Sequence, residues 1–261
     1  MLSTLYNIII GIKIPIGKDL PDKLVKAKFS GIEWTQDGKG FFYGCYPEAD
    51  DATGTKATGL GHQKLYYHRV GTEQKDDIKV VEFPEHPKWM IGAEVSDCGQ
   101  YVIITTHQEC RDNRVFFTKL PTDIQGMFKL TTVIDEFKND YEYITNEGSK
   151  FVFQTNAGAP NSQLIIFDFD KSDPRSTITT LVPENPEEVL EWAACVHQNK
   201  LLLCYLKDVK TVLYVHDLND GKRLHQLPLD IGTVSSVSAK KRYSEFFFMF
   251  TSIIIPSTSY R

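Results

Sequence analysis

The chain has 261 residues, 41% of them hydrophobic and 24% charged, with a formal net charge of -5 at pH 7. That is enough apolar material for one large core or two smaller ones. No basic run exceeds Lys240-Lys241-Arg242, so there is no electrostatic footprint for DNA or RNA and no nucleic-acid partner is expected.

The start, MLSTLYNIIIGIKIPIG, is apolar but has no basic leader, is interrupted by Asn7, Gly11, Lys13 and Pro15, and is too short to cross about 30 Å of hydrocarbon. Its β-branched Ile8, Ile9, Ile10 and Ile12 predict a buried strand, and no membrane partner is expected. Beyond it, β-branched and aromatic runs recur: KLYYHRV (64–70), IKVVEF (78–83), YVIITTH (101–107), KFVFQT (150–155), QLIIFDF (163–169), KLLLCYL (200–206) and TVLYVHDL (211–218). Only PEEVLEW (186–192) reads as capable of a helical turn or two. Asp37-Gly38 and Asn219-Asp220-Gly221 supply tight-turn chemistry between runs. The chain therefore reads as all-β.

A weak internal repeat orders these strands. An apolar residue, Ser or Thr, Asp or Asn, Gly and then an apolar strand recur as WTQDGKGFFYG from Trp34, VSDCGQYVIIT from Val95 and ITNEGSKFVFQ from Ile144. CVHQNKLLLCY from Cys195 loses the Gly, and SAKKRYSEFFFMF from Ser238 keeps only the polar turn and the apolar strand. The spacing, roughly 40 to 60 residues, is that of a four-stranded propeller blade and exceeds anything a sandwich requires. The prediction is a partial β-propeller of about four to five four-stranded blades, with apolar faces left uncovered where the array is open.

Chemistry is sparse. There is no G-x-S-x-G nucleophile turn, and the seven histidines form no H-E-x-x-H. His216-Asp217 sits in a strand, where adjacent side chains point to opposite faces. GTKATGLGHQK (54–64) lacks G-K-[ST] and precedes a strand, so it reads as a loop rather than a phosphate cradle. Asp50-Asp51, Asp76-Asp77 and ENPEE from Glu184 read as solvated loops. The cysteines Cys45, Cys98, Cys110, Cys195 and Cys204 form no C-x-x-C pair and leave one over, which fits neither a disulfide framework nor zinc. No catalytic residue, metal or cofactor is expected on this chain, its thiols are expected to be reduced, and its expected location is cytoplasmic.

Six stretches, in order, resemble the propeller of the prolyl oligopeptidase family: GKDLPDKLVKAKFSGIEWTQDGKGFFYGCYP (17–47), HQKLYYHRVGT (62–72), EFPEHPKWMIGAEVSDCGQYV (82–102), DYEYITNEGSKFVFQTN (140–156), LVPENPEEVLEWAACVHQNKLLLCYLKDVKTVLYVHDL (181–218) and QLPLDIGTVSS (226–236). The resemblance runs over 16–261, while 1–15 match poorly and read as a strand or a misjoined segment. It implies a seven-bladed propeller paired, in the same polypeptide, with an α/β-hydrolase domain that cleaves short peptides after proline. That peptidase domain, with its Ser-Asp-His triad, is absent from this sequence. By the same resemblance, Phe29 in AKFSG, Met90 in PKWMIG and Cys110 in THQEC line the substrate cavity. His107 stands where the family has an Arg, and an imidazole cannot make the two-pronged contact of a guanidinium. The expected role is substrate gating, with short proline-containing peptides as partners. The alternative is a stand-alone propeller remnant that binds a peptide or protein without chemistry.

Overall fold

The computed structural model describes residues 2–5, 8–13, 18–27, 29–46, 61–109 and 111–261. They fall into two compact units, Met1–Phe137 and Lys138–Arg261. The first unit contains three antiparallel sheets. β1 (Leu2–Leu5), β2 (Ile8–Lys13) and β3 (Lys18–Leu24) form one. β4 (Ile32–Trp34), β5 (Gly40–Cys45), β6 (Lys64–Arg69) and β7 (Ile78–Val81) form the next. β8 (Met90–Val95), β9 (Tyr101–His107), β10 (Asn113–Lys119) and β11 (Thr131–Ile134) form the third.

The second unit repeats the plan. β12 (Tyr141–Glu147), β13 (Lys150–Thr155), β14 (Gln163–Asp168) and β15 (Thr179–Val182) make one sheet, and β16 (Val189–Val196), β17 (Lys200–Lys207), β18 (Lys210–Asp217) and β19 (Arg223–Leu227) the next. β20 (Thr233–Ser238), β21 (Phe247–Thr251) and β22 (Thr258–Tyr260) make a third, of three strands. Strands lie side by side in chain order within every sheet, the meander of a propeller blade. The all-β expectation is borne out, and the apolar runs fall on strands with boundaries shifted by at most two residues.

The repeat has a structural meaning. Each copy spans the turn from the first to the second strand of a sheet: β4 to β5, β8 to β9, β12 to β13, β16 to β17 and β20 to β21. Gly38, Gly99 and Gly148 adopt φ of +67°, +70° and +56° there, a region that costs a side chain strain. The copy without Gly puts His197 and Gln198 at positive φ instead. In the first copy Thr35 Oγ1 donates to Asp37 Oδ1 at 2.7 Å, and in the second Tyr101 N donates to Ser96 Oγ at 3.0 Å, which explains the Ser/Thr and Asp preference.

The interior strands of the β16–β19 sheet are apolar on both faces because that sheet packs on a neighbour at each side. On β17, Leu201, Leu203 and Tyr205 join Val152, Leu164 and Val182 of the preceding sheet, while Leu202 and Cys204 join Val234, Phe248 and Phe250 of the following one. In the first unit Phe42, Leu65, Tyr67 and Val80 pack on Ile91, Val102, Ile104 and Phe116. Continuous apolar runs such as KLLLCYL follow from this two-sided burial.

Three expectations are corrected. ENPEE is not wholly a solvated loop: Glu188 is 4% exposed, and its Oε1 accepts from Lys207 Nζ at 2.7 Å and Tyr214 OH at 3.2 Å. PEEVLEW is not helical: Asn185 Oδ1 accepts from Glu187 N at 3.0 Å in a turn, and Val189 onward is β16, paired with β17. Pairing along a full strand outweighs the helix propensity of Glu and Leu. Asp77 is not a solvated loop carboxylate either. Its side chain is 1% exposed, Tyr43 OH donates to its Oδ2 at 2.6 Å, and its Oδ1 lies 2.6 Å from His68 Nδ1. The other ring nitrogen, His68 Nε2, lies 2.9 Å from Asp22 Oδ1, which also accepts from Gly71 N. A buried histidine on β6 thus ties β3 of the first sheet to the loop before β7. Burial pushes its imidazole pKa down, but the bonds to Asp77 and Asp22 outweigh that and raise it.

Candidate functional site

Antiparallel strands in chain order send successive connections to opposite ends of each sheet. Turns between first and second strands and between third and fourth share one end. Loops between second and third strands share the other with the links from sheet to sheet. Of the residues singled out by resemblance, Phe29, Met90 and His107 fall at this second end. Met90 opens β8 directly opposite His107, the last residue of β9. Phe29 lies just ahead of β4, in a left-handed conformation of φ +47° with its side chain 68% exposed. A bulky residue at positive φ is costly, so the surrounding chain must hold it. Cys110, between β9 and β10, lies outside the described residues.

The side chain that joins these positions was not legible in the sequence. Gln63, buried immediately before β6, accepts from Ile91 N through Oε1 at 2.6 Å and reaches Phe29 O with Nε2 at 3.5 Å. It links the Phe29 turn to the residue after Met90. Gly44 makes room for it, since a Cβ there would run into the Gln63 amide. Ser30 Oγ accepts from Gly44 N at 2.7 Å, so the Phe29 turn is pinned to β5 as well. Phe29 and Met90 are both partly exposed apolar side chains at the same end of neighbouring sheets, a wall suited to apolar groups of a ligand.

At the opposite end of the same two sheets lies a cavity of about 870 Å3 lined by the turns 35–39 and 98–100, residues 119–124, Tyr67 and Arg69. Arg69 pairs with Asp123 and Lys39 with Asp37 there. Residues 54–60 of the Gly-rich stretch GTKATGLGHQK, like Asp50-Asp51, lie outside the described residues. His216 and Asp217 are not a dyad: His216 Nδ1 bonds Gly221 O at 2.8 Å, while Asp217 binds Lys200 Nζ at 2.9 Å. Among the described residues no group of three His, Cys, Asp or Glu side chains is arranged to hold a metal. Cys45, Cys195 and Cys204 are buried thiols and Cys98 an exposed one. Burial and the nearby Glu191 carboxylate push the Cys204 thiol up to about 12.

The model of the prolyl oligopeptidase N-terminal β-propeller domain matches residues 5–261. The chain belongs to this family. It is 35% identical over 242 residues to prolyl oligopeptidase A of Amanita bisporigera, covering 91% of this chain and 31% of that protein. It is 32% identical over 252 residues to prolyl oligopeptidase ophP of Omphalotus olearius, covering 94% and 33%. Among solved structures, apo prolyl oligopeptidase B of Galerina marginata superposes with a TM-score of 0.85 at 28% identity, covering 97% of this chain and 36% of that one. The same protein bound to a 25mer macrocyclization substrate gives a TM-score of 0.87, covering 99% and 37%. The chain spans about a third of the length of these relatives. The sheets described above are therefore blades of a prolyl oligopeptidase propeller. No helix among the described residues is long and apolar enough to cross a membrane.

Proposed function

We propose that this chain is the substrate-gating propeller of a prolyl oligopeptidase-like serine peptidase of the cytoplasm. Short peptides are its substrates and are cleaved after proline by an α/β-hydrolase domain of the same polypeptide. The chain supplies no nucleophile; its contribution is to admit and seat the peptide. The observation that carries this reading is the Gln63 link between the Phe29 turn and the start of β8, which holds two exposed apolar side chains, Phe29 and Met90, at one end of adjacent blades. His107, directly opposite Met90, belongs to the same wall and makes a narrower range of peptide carbonyl and carboxylate contacts than an Arg would, and the family resemblance assigns Cys110 to the substrate cavity as well.

The test is kinetic. In the native polypeptide, Phe29→Ala and Met90→Ala each remove about 1 to 2 kcal/mol of apolar contact with a bound peptide. KM for a proline peptide extended toward its N-terminus should rise roughly 5- to 30-fold, with a much smaller change in kcat. A short dipeptide reporter, which does not reach the wall, should be affected less. Unchanged KM for the extended peptide in both variants would remove Phe29 and Met90 from the substrate path.

A further inference from the structure

We infer that Arg114, set in the corner of two perpendicular aromatic rings at one end of the third sheet, is a binding site for a ligand carboxylate. The inference rests on the peptide-gating reading above and adds the chemical group that the peptide presents.

Arg114 is the second residue of β10 and stands directly across from Thr106 on β9, which in turn stands across from Ile91 on β8. These three share one face of the sheet, one residue in from the Met90, His107 and Asn113 row. The guanidinium carbon lies 4.7 Å from the centroid of the Trp89 ring and 4.9 Å from that of Phe137. Trp89 is itself held, stacked on His86 at 3.8 Å and packed on Phe83 at 5.1 Å. Trp89 and Phe137 meet edge to face, 5.3 Å apart with 78° between their planes, so the guanidinium rests in their corner; the rings offer it no hydrogen-bond acceptor oxygen, and Nε is buried without a hydrogen-bond partner. No carboxylate among the described residues pairs with it. Thr106, fully buried, carries a second orphan: its Oγ1 also has no partner.

Buried donors are almost always satisfied, so a guanidinium with an orphan nitrogen calls for an acceptor. A planar fork of N–H groups matches a group with two oxygens in a plane, which is a carboxylate. An amide has only one acceptor oxygen and places N–H against the fork. Trp89 immediately precedes Met90, and Gln63 connects Ile91 to the Phe29 turn, so the site adjoins the proposed peptide wall. A peptide lying on that wall would present its free C-terminus or an acidic side chain to Arg114.

Ligand-observed saturation-transfer NMR on the whole chain, with N-acetylproline, N-acetylprolinamide and acetate as probes, tests this. The acid should bind about tenfold more tightly than the amide, as expected for charge-assisted bonds to a pre-positioned guanidinium. Acetate should compete with the acid. Arg114→Met, which keeps an apolar stem against the rings, should abolish the preference for the acid. Arg114→Lys should retain a smaller one. Equal binding of acid and amide by the unaltered chain overturns the carboxylate site while leaving peptide binding intact, and so does a preference that survives Arg114→Met. Binding of acetate and acid without any binding of the amide supports the site and counts against the peptide reading alone. No binding by any probe overturns the inference. If Arg114→Met fails to fold, the acid-to-amide comparison in the unaltered chain and in Arg114→Lys still decides.

Discussion

Replacing His68 by Ala is expected to destabilise the first two blades by about 3 to 5 kcal/mol, because it leaves the buried carboxylates of Asp22 and Asp77 facing each other without their shared cation. As an imidazolium the ring donates to both, whereas a neutral imidazole can donate to only one. The folded-state pKa of His68 is raised above the ordinary value of 6.5. Its contribution is therefore complete below that ordinary value and is lost as pH rises through the raised folded value. Amide exchange followed by mass spectrometry on peptides spanning β3 and β6 reads this locally. Protection should fall as pH increases across that window, after correction for intrinsic exchange, and His68→Ala should be poorly protected at every pH. A protection profile independent of pH in the unaltered chain would show that His68 stays neutral.

The second large effect is self-association of the chain expressed alone. On β21, Phe248 and Phe250 are buried while Phe247 and Met249, on the other face, are 49% and 38% exposed. Ile253 and Ile254, in the loop that follows, are fully or almost fully exposed. At about 25 cal/mol per Å2, a few hundred Å2 of such surface left in water forfeits on the order of 10 kcal/mol, comparable with the stability of a domain. Light scattering should find oligomers or aggregates, Phe247→Lys combined with Ile254→Lys should shift them toward monomer, and extension of the chain to the length of its relatives should cure the effect. A monodisperse monomer with a cooperative melt would mean that this face is covered in solution.

The strands and the blade repeat were legible because both are local. A two-sided apolar run such as KLLLCYL declares itself in seven residues, and a turn that demands positive φ selects Gly38, Gly99 and Gly148 by backbone sterics alone. What escaped depended on partners distant in sequence. Asp77 looked like one of a solvated acidic pair because neither His68 nor Asp22, 46 residues before that histidine, marks it as buried. PEEVLEW looked helical because the pairing with β17 that makes it a strand lies outside the window. Gln63 carries no signal at all: a lone Gln between a Gly-rich loop and a strand becomes the link between Phe29 and β8 only in three dimensions. The substrate-wall positions were found by resemblance rather than by chemistry, since an exposed Phe or Met is unremarkable until its neighbours are known.

The claim that this chain gates a peptidase without being one is tested most directly by hydrolysis of a Gly-Pro amide reporter. The 261-residue chain, purified free of contaminating protease, should release no product above the buffer blank. The native polypeptide, about three times as long if it matches its relatives, should cleave the reporter after proline and lose that activity to a serine-directed inhibitor. Turnover by the short chain itself, or a native polypeptide of this chain's own size that binds proline peptides without cleaving them, would contradict it.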